Sequence, residues 1–374
     1  AESSGKTGVK VISLTENVIP VSAVIQGADE IIQDRSQDVD SVYTFNMVDE
    51  NGAAARIADP QNIRWTLNNS NGVVFKGQGA EVTAQSGQRV TLTVPRDIQP
   101  ANSYTLTAEY QDQRVVFRGY VIPSRELPEN LQSKIIGQWT FDGNVSPSIG
   151  TLTPTSVNGL SYGAGVSGQA AIFKKGGNHL NFGSQDLTNK TISFAFRPVS
   201  RPAQQDPAIL ANKSWSGDGL PKGFVLAYSY HSDTYPHSSD LKTRIADGSK
   251  MQDAWMPFEK GLWQTITIVF DNENGAYRIY KDGAPALTGS SVKDGAINTA
   301  DFSSGWQNGA YSLILGNDGT GEYGQNANQD YEYWIDNFTI LDTAVSAEEA
   351  VALSDVNIAV EKDLNSITPA LIGS

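Results

Sequence analysis

Short runs of alternating apolar and polar residues, broken by Gly, Asn, Asp and Pro, fill most of this chain. Ser41-Val42-Tyr43-Thr44-Phe45-Asn46-Met47-Val48 alternates over its whole length, the period of a strand with one buried face. Asp49-Glu50-Asn51-Gly52 follows and reads as a turn, since Asn-Gly tolerates positive φ. The pattern returns at 62–67, 73–75, 80–83, 89–94, 103–110 and 114–120. After Ile122, Pro123 and Pro128 oppose regular pairing, and 123–134 reads as a linker. Alternation resumes from Ile135 and ends in Tyr333-Trp334-Ile335-Asp336-Asn337-Phe338-Thr339-Ile340. Ser346 then stands before Ala347-Glu348-Glu349, a cap and acidic first turn that predict a short helix. Residues 1–30 are mixed and read as an arm or an added strand; 354–374 read as a tail.

The prediction is an all-β protein of two sandwiches. The strands of 31–122 suit an immunoglobulin-like sandwich, with Trp65 as its central core residue but without a Cys pair. Their layout is similar to the immunoglobulin-like domains of phage virion proteins, in particular Ala101-Asn102-Ser103-Tyr104-Thr105-Leu106-Thr107-Ala108-Glu109-Tyr110.

Residues 135–353 resemble the bacterial laminin-G-like (concanavalin A-like) jelly rolls. The resemblance rests on motifs in order: Trp139-Thr140-Phe141-Asp142-Gly143-Asn144, Gly168-Gln169-Ala170-Ala171-Ile172-Phe173, Thr191-Ile192-Ser193-Phe194, Asn212-Lys213-Ser214-Trp215-Ser216-Gly217, Leu262-Trp263-Gln264-Thr265, Tyr280-Lys281-Asp282-Gly283, and Gly316-Asn317-Asp318-Gly319. The closing Ile335-Asp336 strand and Ser346-Ala347-Glu348-Glu349 helix start complete it. The resemblance implies surface recognition rather than catalysis. It also implies a structural Ca²⁺ between Asp142 at the end of the first strand and Asp336 on the last, a pair of hard oxygen donors. The alternative is that both carboxylates cap turns.

Charge and composition narrow the function. The formal net charge is −14, which repels nucleic acid and also serves solubility. With no cysteine, thiolate nucleophiles, disulfides and cysteine zinc sites are excluded. Ala1-Glu2-Ser3-Ser4-Gly5-Lys6 lacks a signal peptide's apolar core. It suits a mature end after cleavage or a native start after loss of Met.

Catalytic candidates are few. Asp330, Glu332 and Asp336 share a strand face by parity, but the E-x-D-x-x-E pattern of related glycosidases is missing. The three histidines, His179, His231 and His237, form no Ser-His-Asp grouping. The stronger signal is aromatic: Trp215, Trp255, Trp306 and Tyr323 fall in loops or at strand ends, where rings stack on sugars. Asn212, Asn317 and Asp318 are expected to orient such a sugar, unless the rings are packed lids. Trp139, Trp263 and Trp334 are expected in the core.

Together these features predict a non-enzymatic virion surface protein, such as a phage head decoration, fibre or tail appendage, synthesised in the host cytoplasm. Its partners would be other virion proteins and cell-surface polysaccharide. The alternatives are a secreted or cell-surface bacterial carbohydrate-binding protein, an accessory fragment of a glycan-active enzyme, and a jelly-roll glycosidase or lyase.

Overall fold

The computed structural model describes residues 22–98, 103–124, 126–200, 206–215, 220–229, 237, 240–302, 308–321 and 330–359. These divide into two compact units, with the boundary between Ile122 and Pro123. Both are β-sandwiches.

In the first unit, two five-stranded sheets enclose one core. One sheet runs Ser22–Gln26, Val39–Val48, Arg89–Val94, Val74–Phe75, with Ala54–Ala55 paired to the long second strand. The other runs Glu30–Ile32, Gln113–Ile122, Ser103–Tyr110, Arg64–Asn68, Ala84–Ser86. The alternation works as read: Tyr43, Phe45 and Met47 point inward and are buried. Trp65 is the fully buried centre, and its indole N–H donates to the Gly87 carbonyl at 2.7 Å. Part of the expected N-terminal arm is sheet, because Ser22–Gln26 pairs antiparallel with Thr44–Val48.

In the second unit an eleven-stranded sheet faces a seven-stranded one. Aromatic side chains fill the space between them: Phe173 stacks on Tyr333 at 5.4 Å, and Trp139, Phe182 and Phe338 pack together. Opening strand Ile135–Trp139 pairs with closing strand Glu332–Leu341, in register Trp139↔Phe338. Trp139 is a core residue as expected, but Trp334 and Trp263 are only half-buried. Trp334 lies on the other face of its strand, where Arg197 sits 5.2 Å over its ring.

A second apolar cluster includes Val269, Tyr280 and Leu341 from the large sheet. Helix Ala347–Asp355 caps itself as its sequence requires: Ser346 Oγ accepts the Glu349 N–H and Glu349 returns the bond. It contributes Ala350 and Leu353 to this cluster. The short helix Glu129–Gln132 contributes Leu131, and Leu127 joins it. Residues 123–134 are therefore no free linker: from Leu127 onward they belong to the second unit, because two leucines find an apolar face. Val356 and Asn357 are buried too, so the unit extends past the expected end at 353.

Candidate binding face

The seven-stranded sheet carries the candidate site on its outer side. Strand Gly223–Tyr228 sends Phe224, Leu226 and Tyr228 into the core. That parity leaves Val225 and Ala227 facing outward, beside Ala208 and Ala211 of the neighbouring strand Ala208–Ala211. These small side chains form a floor, and Trp215 lies on it with 8% of its surface exposed. Trp215 is thus a packed lid rather than an open platform.

Three of the residues expected to orient a ligand instead hold this lid. Asp318 Oδ2 accepts the Trp215 N–H at 2.9 Å, and Asp318 Oδ1 accepts the Thr320 N–H at 3.1 Å. Asn317 accepts the Asp318 N–H and donates to the Gly321 carbonyl, both at 2.9 Å. Asn212 Oδ1 accepts the Phe224 N–H at 2.8 Å. All three side chains are essentially inaccessible. The structure thus brings Asn212, Trp215, Asn317 and Asp318 together as the framework of two joined loops. Buried loop N–H groups need acceptors, and these side chains supply them. Trp306 and Tyr323, with His231, lie outside the described residues.

Trp255 is half-buried on the outer side of strand Met251–Pro257. One face of its indole stacks on His237, centroids 4.2 Å apart and planes at 10°. His237 Nδ1 stands 2.9 Å from Asp240 Oδ2. Lys242 links the two tryptophans, lying 5.5 Å from the Trp215 centroid and 6.0 Å from that of Trp255.

Cations absent from the sequence-derived candidates also line this face. Lys213 Nζ and the Arg244 guanidinium also stand over Trp215, at 5.9 and 5.1 Å. Asp253 binds Arg244 through two bonds of 2.6 and 2.8 Å and Lys242 at 2.9 Å. Burial alone would raise the Asp253 pKa, but its bonds to Arg244 and Lys242 outweigh that and hold it below the ordinary value. Lys213 is pushed down to about 8, first by burial and then by the Arg244 charge. A signal was present: Asp240-Leu241-Lys242-Thr243-Arg244 puts Lys242 and Arg244 on one face. In the hairpin register Arg244 faces Asp253, and Lys242 faces Trp255.

The acidic strand does not assemble a catalytic pair. Asp330 is exposed beside Lys175, and Glu332 accepts the Trp334 indole N–H at 2.7 Å. Asp336 is completely buried, and its carboxylate accepts N–H groups from Val166, Ser167 and Asn337. Asp142 Oδ1 accepts the Gln169 N–H at 2.7 Å. The two acids therefore grip one turn, 165–169, Asp336 from the closing strand and Asp142 from the bend that follows the opening strand. Burial drives the Asp336 pKa up to about 7; the three N–H donors oppose this, and the Asp142 charge adds to it. Among the described residues no group of three His, Cys, Asp or Glu is placed to hold a metal.

No family description and no curated protein matches the sequence. Solved structures of similar fold include the botulinum neurotoxin serotype D binding domain, at 11% identity over 61% of this chain and 53% of that one, TM-score 0.45. The serotype G binding domain matches at 13% identity over 59% and 50%, TM-score 0.43. The serotype D ligand-binding domain in complex with N-acetylneuraminic acid matches at 11% over 60% and 52%, TM-score 0.46. This chain spans about half the length of those structures. The likeness is one of fold.

Proposed function

We propose that the chain is a non-enzymatic surface protein whose second, laminin-G-like sandwich binds carbohydrate, and whose first, immunoglobulin-like sandwich docks it to a larger assembly, a virion head or tail. The observation that carries the binding half is the outer face of the seven-stranded sheet. There a half-buried Trp255 ring, with His237 stacked on one face, stands beside Lys242, which Asp253 holds together with Arg244. An apolar ring face with fixed polar groups at its edge is what sugar recognition requires. The non-enzymatic half is supported by the fate of the carboxylates: Glu332 and Asp336 are committed to Trp334 and to the 165–169 turn. Asp142, the acid whose charge acts on Asp336, accepts the Gln169 N–H of the same turn, an arrangement that holds a turn rather than the acid–base pair that hydrolysis needs.

The test is a glycan array probed with the full chain, followed by incubation with any polysaccharide that binds. Binding without released sugar is the expected result. Released sugar would overturn the non-enzyme half. Particles that lack the protein yet attach to cells normally, together with a blank array, would leave only the docking role. Location beside polysaccharide-use genes would favour an exported bacterial protein instead.

A structural Ca²⁺ on Asp142 and Asp336 is a separate proposal. Two carboxylates at one turn suit a hard cation, which takes six to eight oxygens. Here three of their four oxygens already accept backbone N–H groups, so carbonyls and water would have to supply most of the set.

A further inference from the structure

The charge on this face is not explained by neutral sugar binding. The chain carries −14 net, yet Lys213, Lys242 and Arg244 converge within 5.9 Å of one indole ring. Asp253 ties down two of them. Lys213 has no carboxylate at ion-pair distance among the described residues, and its ammonium donates to the Ser214 carbonyl at 2.6 Å. Holding a buried ammonium beside a guanidinium disfavours the fold; the Asp318 and Asp253 charges offset part of that cost, but burial and Arg244 outweigh them.

The chemistry of the side chains narrows the ligand. Lys and Arg only donate hydrogen bonds, so the group they meet must chiefly accept. A carboxylate or sulfate does; a neutral sugar's hydroxyls act both ways and do not need paired cations. Arg244 and Lys242 are partly exposed, at 22% and 14% of their side-chain surface. Trp255 lies beside Lys242 on the facing strand; His237 stacks on one face and Gly289 lies close to its six-membered ring, so the half-buried ring offers the part left exposed next to the charge. A long polyanion would meet the repulsion of the whole chain, which favours a glycan with isolated acidic groups.

We propose that this face recognises a sugar bearing a single carboxylate or sulfate, with Arg244 and Lys242 receiving the acid group and Trp255 the sugar ring. This rests on the carbohydrate-binding reading above. Asp253 then acts as a positioning residue that holds both cations and competes with the ligand for them.

The experiment measures binding of the full chain to lactose, sialyllactose, lactose sulfate and polyglutamate by calorimetry, with neutral dextran and mannan alongside. At least one acidic lactose is expected to bind about tenfold or more tighter than lactose; which one binds identifies carboxylate or sulfate as the source. Arg244→Gln should abolish that preference and Arg244→Lys should keep part of it. Asp253→Asn should strengthen acidic-sugar binding severalfold, the opposite of what loss of a merely structural ion pair would do. Tryptophan emission follows folding in each variant. Lactose binding as tightly as its acidic derivatives overturns the acidic-sugar inference and leaves the glycan reading standing. Polyglutamate binding equally well, or Asp253→Asn weakening binding in a folded protein, also overturns it. If none of the sugars or polysaccharides binds, the glycan reading falls as well.

Discussion

Replacing Asp336 by Asn should change how stability depends on pH, with a sign and size that follow from the surroundings of this carboxyl. Asp336 is fully buried and its pKa is raised to about 7 from an ordinary 3.8. The folded state therefore keeps a proton between those values that the unfolded state gives up. Stability must fall as pH rises through this window, and the loss is complete above about 7. At roughly 1.4 kcal/mol per pH unit the gap amounts to on the order of 4 kcal/mol. Other carboxyls run the opposite way: Asp40, Asp186, Asp253 and Asp342 have lowered pKa values and stabilise the fold above the ordinary carboxylate range. They are common to wild type and variant, so the difference between the two proteins isolates Asp336. The assay is urea unfolding followed by tryptophan emission, from pH 4 to 8 in the presence of a chelator. Of the seven tryptophans only Trp65 precedes Ile122, so the signal reports chiefly the second unit. The wild-type curve should drop relative to the Asn curve by a few kcal/mol between pH 4 and 7. Parallel curves would refute the reasoning. Calcium adds a second arm, since a bound cation would keep Asp336 ionised and suppress the drop. Curves that coincide with and without calcium would remove the calcium proposal and leave the Asp336 argument intact.

Trp215→Ala should destabilise the second unit by about 3–5 kcal/mol, because the ring covers the floor of Ala208, Ala211, Val225 and Ala227; a loss under 1 kcal/mol in urea unfolding would show that the lid is not packed. Trp255→Ala, whose ring is only half-buried, should cost clearly less stability and more affinity than Trp215→Ala. Gly309→Ala should lower the melting temperature sharply, since a Cβ there would lie 1.7 Å from the Asn212 carbonyl oxygen; an unchanged melt would mean that the backbone at 309 separates easily from that at 212. Leu131→Ala should cost about 2–5 kcal/mol in the second unit, whereas a true linker residue would cost nothing, and limited proteolysis should cut at 123–126 before 127–134.

Much of the fold was legible because strand period and core burial are the same fact seen twice. Tyr43, Phe45 and Met47 alternate in the chain and point inward in the sheet. Ser346 and Glu349 announce a helix start that needs only local hydrogen bonds. The pairing of the first and last strands, which places Asp142 and Asp336 on one turn, also followed from recognisable motifs. Less was legible wherever an outer face was at issue. Period two puts Val225, Lys242 and Arg244 on the side away from the core, but does not say what covers them; along the closing strand the parity itself switches at Asn337, with Tyr333 and Ile335 facing the core before it and Phe338 and Ile340 after it. Trp215 reaches the floor of Ala211 and Val225 because a loop anchored about a hundred residues away, at Asp318, holds its backbone. Asn212 and Asn317 look like exposed ligand contacts in sequence and become buried hydrogen-bond partners for the same reason. Asp336 shares a face with Glu332 by parity, yet the 165–169 turn closes over it alone and shifts its charge. Alternation along one strand sets inside against outside locally. The cover on the outside is made by segments distant in sequence, so only the tertiary structure decided which polar residues reached the surface.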